Sequence, residues 1–129
     1  MPFNKLHVPR ALAPETCQQI NRNLHAALVE TCAVNPDDDF CLVCRYAPED
    51  MAFRPTFLGP RDPAATIVIE IALLGGRSDA QNEALYADIR TRLDSIGVPP
   101  ENAIIFLIEN AAIDWSFGPQ GSIKTVLGL

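Results

Sequence analysis

The strongest constraint on this chain is the order of its hydrophobic periodicities: strand, helix, strand, and then the same three again. Phe3 to Val8 alternates and ends at Pro9, as a strand does. Pro14 and Glu15 then open a helix, the proline fitting the first turn and the acid complementing the helix dipole. Cys17, Ile20, Leu24, Leu28 and Cys32 recur at helical spacing and form its apolar stripe. Asn35-Pro36-Asp37-Asp38-Asp39 reads as a turn, Phe40 to Tyr46 as a second strand, and Ala47-Pro48-Glu49-Asp50 as another turn. An edge strand is expected through Met51 to Leu58, before the loop Gly59-Pro60-Arg61-Asp62-Pro63.

The second half repeats the order. Ala65 to Leu74 is a strongly apolar strand broken by Gly75-Gly76, and Ser78 caps a helix with Gln81 as its capping-box partner. Leu85, Ile89, Leu93 and Ile96 make the stripe, and Gly97-Val98-Pro99-Pro100 ends it. Ala103 to Ile108 supplies the last strand. The chain therefore divides into a pseudo-repeat, 2–58 and 64–110, with a tail at 111–129 that carries few helix signals. At 129 residues it suits a single domain that needs no disulfide or metal to hold its core.

Each crossover is long enough to make its two strands parallel and right-handed. The expected fold is α/β (α+β): two fused beta-alpha-beta units in a four-stranded, mainly parallel-paired sheet with both helices on one face. Near-continuous apolar strands such as Ile67 to Leu74 call for burial on both sides, yet helices are available for only one. The uncovered face is expected to meet copies of itself.

Charge narrows the function. Ten basic against 16 acidic residues give a net charge of −6, which repels phosphate backbones, so nucleic acid is not an expected partner. No apolar run is long enough to span a bilayer and no signal peptide precedes Lys5, so a cytoplasmic protein without a membrane partner is expected. Cys41-Leu42-Val43-Cys44 looks at first like a redox or zinc motif. On a strand, however, that spacing sends the two sulfurs to opposite faces. Cys17 and Cys32 fit the helix stripe as small buried hydrophobes. No metal and no cofactor are expected. His7 and His25 are read as structural.

The first two residues, Met1-Pro2, run directly into the first strand. Removal of Met1 would leave Pro2 as a secondary amine held rigidly by its own strand. Desolvation or a neighbouring cation lowers the pKa of such an amine and suits it to act as a general base near neutral pH.

Together the Met-Pro start, the doubled strand-helix-strand, the link Gly97-Val98-Pro99-Pro100-Glu101-Asn102 and the tail from Glu109 through Asp114-Trp115-Ser116-Phe117-Gly118 resemble the tautomerase superfamily, closest to its malonate semialdehyde decarboxylase branch. The resemblance implies a homotrimer in which the amino-terminal proline, Pro2 here, moves a proton between oxygen and carbon. It further implies a catalytic Asp38 in the acidic turn, and Arg77 as a grip on a substrate carboxylate. Trp115 and Phe117 match aromatic pocket walls, and Leu129 matches the carboxy-terminal leucine. The position of the family's first arginine holds Gly75, and Lys124, where the decarboxylase has an aromatic residue, is the candidate replacement cation. Three functions follow: a cofactor-independent tautomerase of a small 2-oxo acid, a malonate semialdehyde decarboxylase or related hydratase, and a non-catalytic trimer that binds small carboxylates.

Overall fold

A computed structural model describes residues 1–129. The strands are β1 (Pro2–Pro9), β2 (Cys41–Tyr46), β3 (Ile67–Leu74) and β4 (Ala103–Asn110), and the helices are α1 (Pro14–Cys32), α2 (Asp79–Ser95) and a short α3 (Ile123–Leu127). The sheet runs β2-β1-β3-β4. β1 and β2 are parallel, as are β3 and β4, while the central pair β1 and β3 is antiparallel. Each half is therefore a parallel crossover unit, and the two units meet head to tail.

The two helices start differently, α1 without a side-chain cap and α2 with a full one. Pro14 occupies the first turn of α1, removing one donor, and Ala33 closes the far end in the left-handed region with its N–H on the Leu28 carbonyl. Ser78 and Gln81 form the full capping box of α2. Leu6, Val8, Ile69 and Ile71 from the sheet meet Ile20, Leu24 and Leu28 of α1 and Leu85, Ile89 and Leu93 of α2 in one continuous core. Each such side chain, fully buried, contributes about 1.5–3 kcal/mol.

No strand forms over 51–58. Pro48–Asp50 is a single 3-10 turn and the chain then runs as a loop, in which Phe57 and Leu58 are exposed. Pro55 offers no N–H to a ladder, and the segment pairs with neither edge strand of the sheet, β2 or β4. Residues 65 and 66 likewise precede β3, because Pro63–Ala65 makes another 3-10 turn, capped by the Asp62 side chain. The tail does contain a helix: α3 starts at Ser122, whose hydroxyl accepts from the Thr125 N–H.

No helix is long and apolar enough to cross a membrane.

Candidate active site

The antiparallel pairing of β1 with β3 decides where the chain's first amine lies. Pro2 is the register partner of Leu73, near the end of β3, and Leu73 is in turn the partner of Glu109 on β4. The beginning of β1 therefore shares one edge of the sheet with the ends of β3 and β4. The start of β2 joins them, because the Asn4 N–H donates to the Phe40 carbonyl at 2.9 Å.

Pro2 is buried and Met1 still precedes it. The Met1 ammonium is 2.8 Å from Asp38 Oδ2, and both side chains are largely covered. Of the three aspartates in the acidic turn, Asp38 is thus the one aimed at the start of β1. Removing Met1 would move the amine one residue inward, by at most about 3.8 Å.

Arg77 leaves the end of β3 and folds back over it. Its Nη1 donates to the Leu74 carbonyl, its Nε to Asn82 Oδ1 at 3.4 Å, and its Nη2 to Glu109 Oε1 at 3.3 Å. These partners hold the guanidinium beside the strand end that faces the start of β1. Gly75 lies under the same carboxylate: a Cβ there would come within 3.3 Å of Glu109 Oε2.

Aromatic rings line this edge. Phe3 stacks on Phe40 at 6.3 Å between centroids, Phe40 meets Phe117 at 5.3 Å, and Phe117 stacks on Trp115 at 5.7 Å. Trp115 is fixed by its indole N–H on Asn110 Oδ1, at 2.5 Å. On the sheet face away from the helices, Trp115, Phe3, Lys5, Glu70, Asn110 and Asp114 help line a cavity of about 340 Å³.

The arrangement brings together Pro2, Asp38, Arg77, Trp115 and Phe117. Lys124 and Leu129 stand apart. Both are exposed on or after α3, and their link is through the backbone, the Leu129 N–H donating to the Lys124 carbonyl. α3 itself is tied to the site by the Ile123 N–H on the Trp115 carbonyl.

Sequence reasoning missed Phe3, Phe40, Glu109 and Asn110 at this edge. Only the cross-strand register brings them together, although an aromatic directly after the acidic turn was a usable signal for Phe40. His7 also has partners that its sequence neighbourhood hides: Nδ1 meets the Tyr46 hydroxyl at 2.6 Å and Nε2 meets Glu70 Oε2 at 2.7 Å. His25 Nε2 lies 2.7 Å from the Pro36 carbonyl. No group of three or more His, Cys, Asp or Glu side chains stands close enough to hold a metal ion.

The family model described as a tautomerase enzyme matches residues 38–118, more than half of the chain. This chain belongs to the tautomerase family. The probable tautomerase YusQ of Bacillus subtilis (strain 168) is 31% identical over 119 residues, which cover 92% of this chain and 94% of that relative. Among solved structures, FG41 malonate semialdehyde decarboxylase inhibited by 3-bromopropiolate is 30% identical. It superposes with a TM-score of 0.87, over 98% of this chain and 95% of that one. Native fused 4-OT shares the fold at a TM-score of 0.78 and 19% identity, covering 98% and 99% of the two chains. The segment matched by the tautomerase model takes in Asp38, Arg77, Trp115 and Phe117 but begins after Pro2.

Proposed function

We propose that the protein is a cofactor-independent tautomerase that interconverts the enol and keto forms of a small 2-oxo acid, with Pro2 as the proton carrier once Met1 has been removed. The observation that carries this reading is the 2.8 Å contact between the chain's first amine and Asp38, at the sheet edge that also holds Arg77. In ketonisation the neutral Pro2 amine takes the enol hydroxyl proton, the electron pair moves through the developing enolate, and the resulting ammonium returns a proton to carbon. Arg77 holds the substrate carboxylate and, as a cation, favours the neutral amine. Asp38 acts in the opposite sense, favouring the ammonium during its brief existence. The two together poise the base. Trp115 and Phe117 exclude water around it.

We propose further that the working unit is a homotrimer. Leu42, Phe106 and Ile108 are large apolar side chains left half-exposed on the sheet face that carries no helices, and a fused 4-OT has been solved as a symmetric trimer. Lys124 and Leu129, exposed in one subunit, would then complete the pocket across a subunit contact.

Malonate semialdehyde decarboxylation is the second reading, favoured by the 0.87 TM-score and 30% identity to the FG41 enzyme. Gly75 weighs against it, since one fixed guanidinium must then both anchor a carboxylate and polarise a carbonyl. Lys124 is the proposed substitute cation, and Lys124→Ala leaving carboxylate substrates unaffected would remove it.

The experiment is ketonisation of phenylenolpyruvate by protein verified by mass to lack Met1 and by its Pro2→Ala variant across a pH series. A rate that collapses in the variant, and that follows one basic group with a depressed pKa in the parent, is the expected result. Equal rates in the two proteins would overturn Pro2 as the catalyst. Carbon dioxide release from malonate semialdehyde, measured in parallel, separates the second reading.

A further inference from the structure

The arginine assigned above to the substrate carboxylate already holds a carboxylate of its own. Arg77 is mostly buried, its side chain only 13% exposed, while Glu109 is 47% exposed and reaches in from the end of β4 to Nη2. Nε is directed at Asn82 and Nη1 at the Leu74 carbonyl. A carboxylate gripped through two parallel N–H bonds needs two donors on one edge of the guanidinium. Glu109 stands on one of them.

Two further observations fix Glu109 in the site. It shares a register row with Leu73 and Pro2, so its backbone lies two strand spacings, about 10 Å, from that of the proposed base. Its second oxygen, Oε2, overhangs Gly75, the one residue type that leaves this space free of any side chain. The carboxylate therefore borders both the guanidinium and the backbone of Gly75.

We infer that Glu109 sets substrate specificity by occupying Arg77 in the empty site and repelling any second negative charge in the filled one. This rests on the reading that Arg77 receives the substrate carboxylate. A monoanionic 2-oxo acid swings Glu109 aside at the cost of one exchanged ion pair. A dianion brings a further charge beside Glu109, next to the largely covered Arg77, where like charges repel more strongly than in water. The preferred substrate class is therefore a 2-oxo monocarboxylate with an uncharged far end.

Trp115 is the only tryptophan in the chain, and it is held by Asn110, the residue after Glu109. Its fluorescence reports binding without any need for turnover. We would titrate the protein lacking Met1 with 2-oxopentanoate and 2-oxoglutarate, which share a chain length and differ by one carboxylate. The parent should bind the monoanion at least about tenfold more tightly, and Glu109→Gln should erase most of that preference by tightening the dianion. Glu109 is half exposed at a strand end, so the isosteric change should leave the melting curve in place, and a purely structural role would not move the ratio of the two affinities. If Arg77→Ala abolishes binding while Glu109→Gln leaves the ratio unchanged, the specificity role of Glu109 is wrong and the carboxylate anchor stands. If Arg77→Ala leaves binding intact, or neither ligand gives a saturable change, the anchor fails and the inference fails with it.

Discussion

The two faces of the sheet are written in different chemistry. On the face under α1 and α2, Leu6, Val8, Ile67, Ile69, Ile71 and Leu73 are all almost fully buried, and a single subunit completes their packing. On the other face, Lys5, His7, Glu70 and Tyr46 lie among Phe3, Val68, Phe106 and Ile108, and no helix covers them; only the loop at 50–53 and the tail at 114–115 reach over parts of this face. The first face carries the information that folds one chain. The second joins an apolar field to a directional polar cluster, the combination expected where copies must meet in one register rather than simply adhere.

This contrast breaks most visibly in the core. Leu24→Ala removes a side chain that is 1% exposed and seated between α1 and the sheet. The variant should lose about 2–5 kcal/mol in chemical denaturation, with the cavity left behind adding to the lost transfer energy. Phe106→Glu tests the other face. With Phe106 already 42% exposed in one subunit, the variant should keep its helical circular dichroism but sediment as a monomer. Retention of a trimer would show that the uncovered face is not the contact between copies.

How much of this was legible depends on whether a feature is local. The order of strands and helices could be read because the hydrophobic period switches between two and 3.6 at each boundary, and the Ser78-Gln81 cap was visible from spacing alone. The antiparallel join of β1 to β3 could not be read, because periodicity places residues on faces but does not say which strands are neighbours or which way they run. Met51 to Leu58 misled for the same reason: apolar residues after a turn qualify a segment for a ladder but cannot supply it with a partner. At the candidate site, Asp38 and Arg77 came from family resemblance, whereas Glu109 and the His7-Glu70-Tyr46 cluster depend on residues 32 to 63 positions apart in sequence. Such contacts exist only once the register is known.

The polar cluster itself offers a subtler test of the same contrast. His7→Ala deletes the partner of both Glu70 and Tyr46, leaving two half-buried polar groups unsatisfied. The expected loss is about 1–3 kcal/mol, the usual cost of stranding such groups. If the uncovered face is an interface, that loss should be larger in the trimer than in the Phe106→Glu monomer, where water can replace the imidazole. A double-mutant cycle followed by thermal melting measures the difference. Equal losses in the two backgrounds would place the cluster outside the contact.

The smallest effect compares one cysteine from each face. Cys41 is the register partner of the buried Asn4 and faces the helices, whereas Cys44 pairs with His7 on the uncovered side. Burial, reinforced by the nearby Asp39 carboxylate and by Cys17 and Cys44, pushes the Cys41 thiol from 9.0 up to about 11. The folded protein therefore keeps this proton longer than the unfolded chain does. As pH rises from about 9 towards 11, the unfolded state ionises first and binds fewer protons, so the stability from Cys41 is complete below that window and is lost across it. The melting temperature of the parent should fall over this range more steeply than that of Cys41→Ala, in which other titrating groups are unchanged and cancel in the difference. Parallel slopes would mean that the thiol ionises as readily in the fold as outside it. The same proton also governs reactivity, since only the thiolate is alkylated. At pH 8, in the Phe106→Glu monomer, iodoacetamide should label Cys41 more slowly than Cys44, with mass spectrometry assigning each adduct.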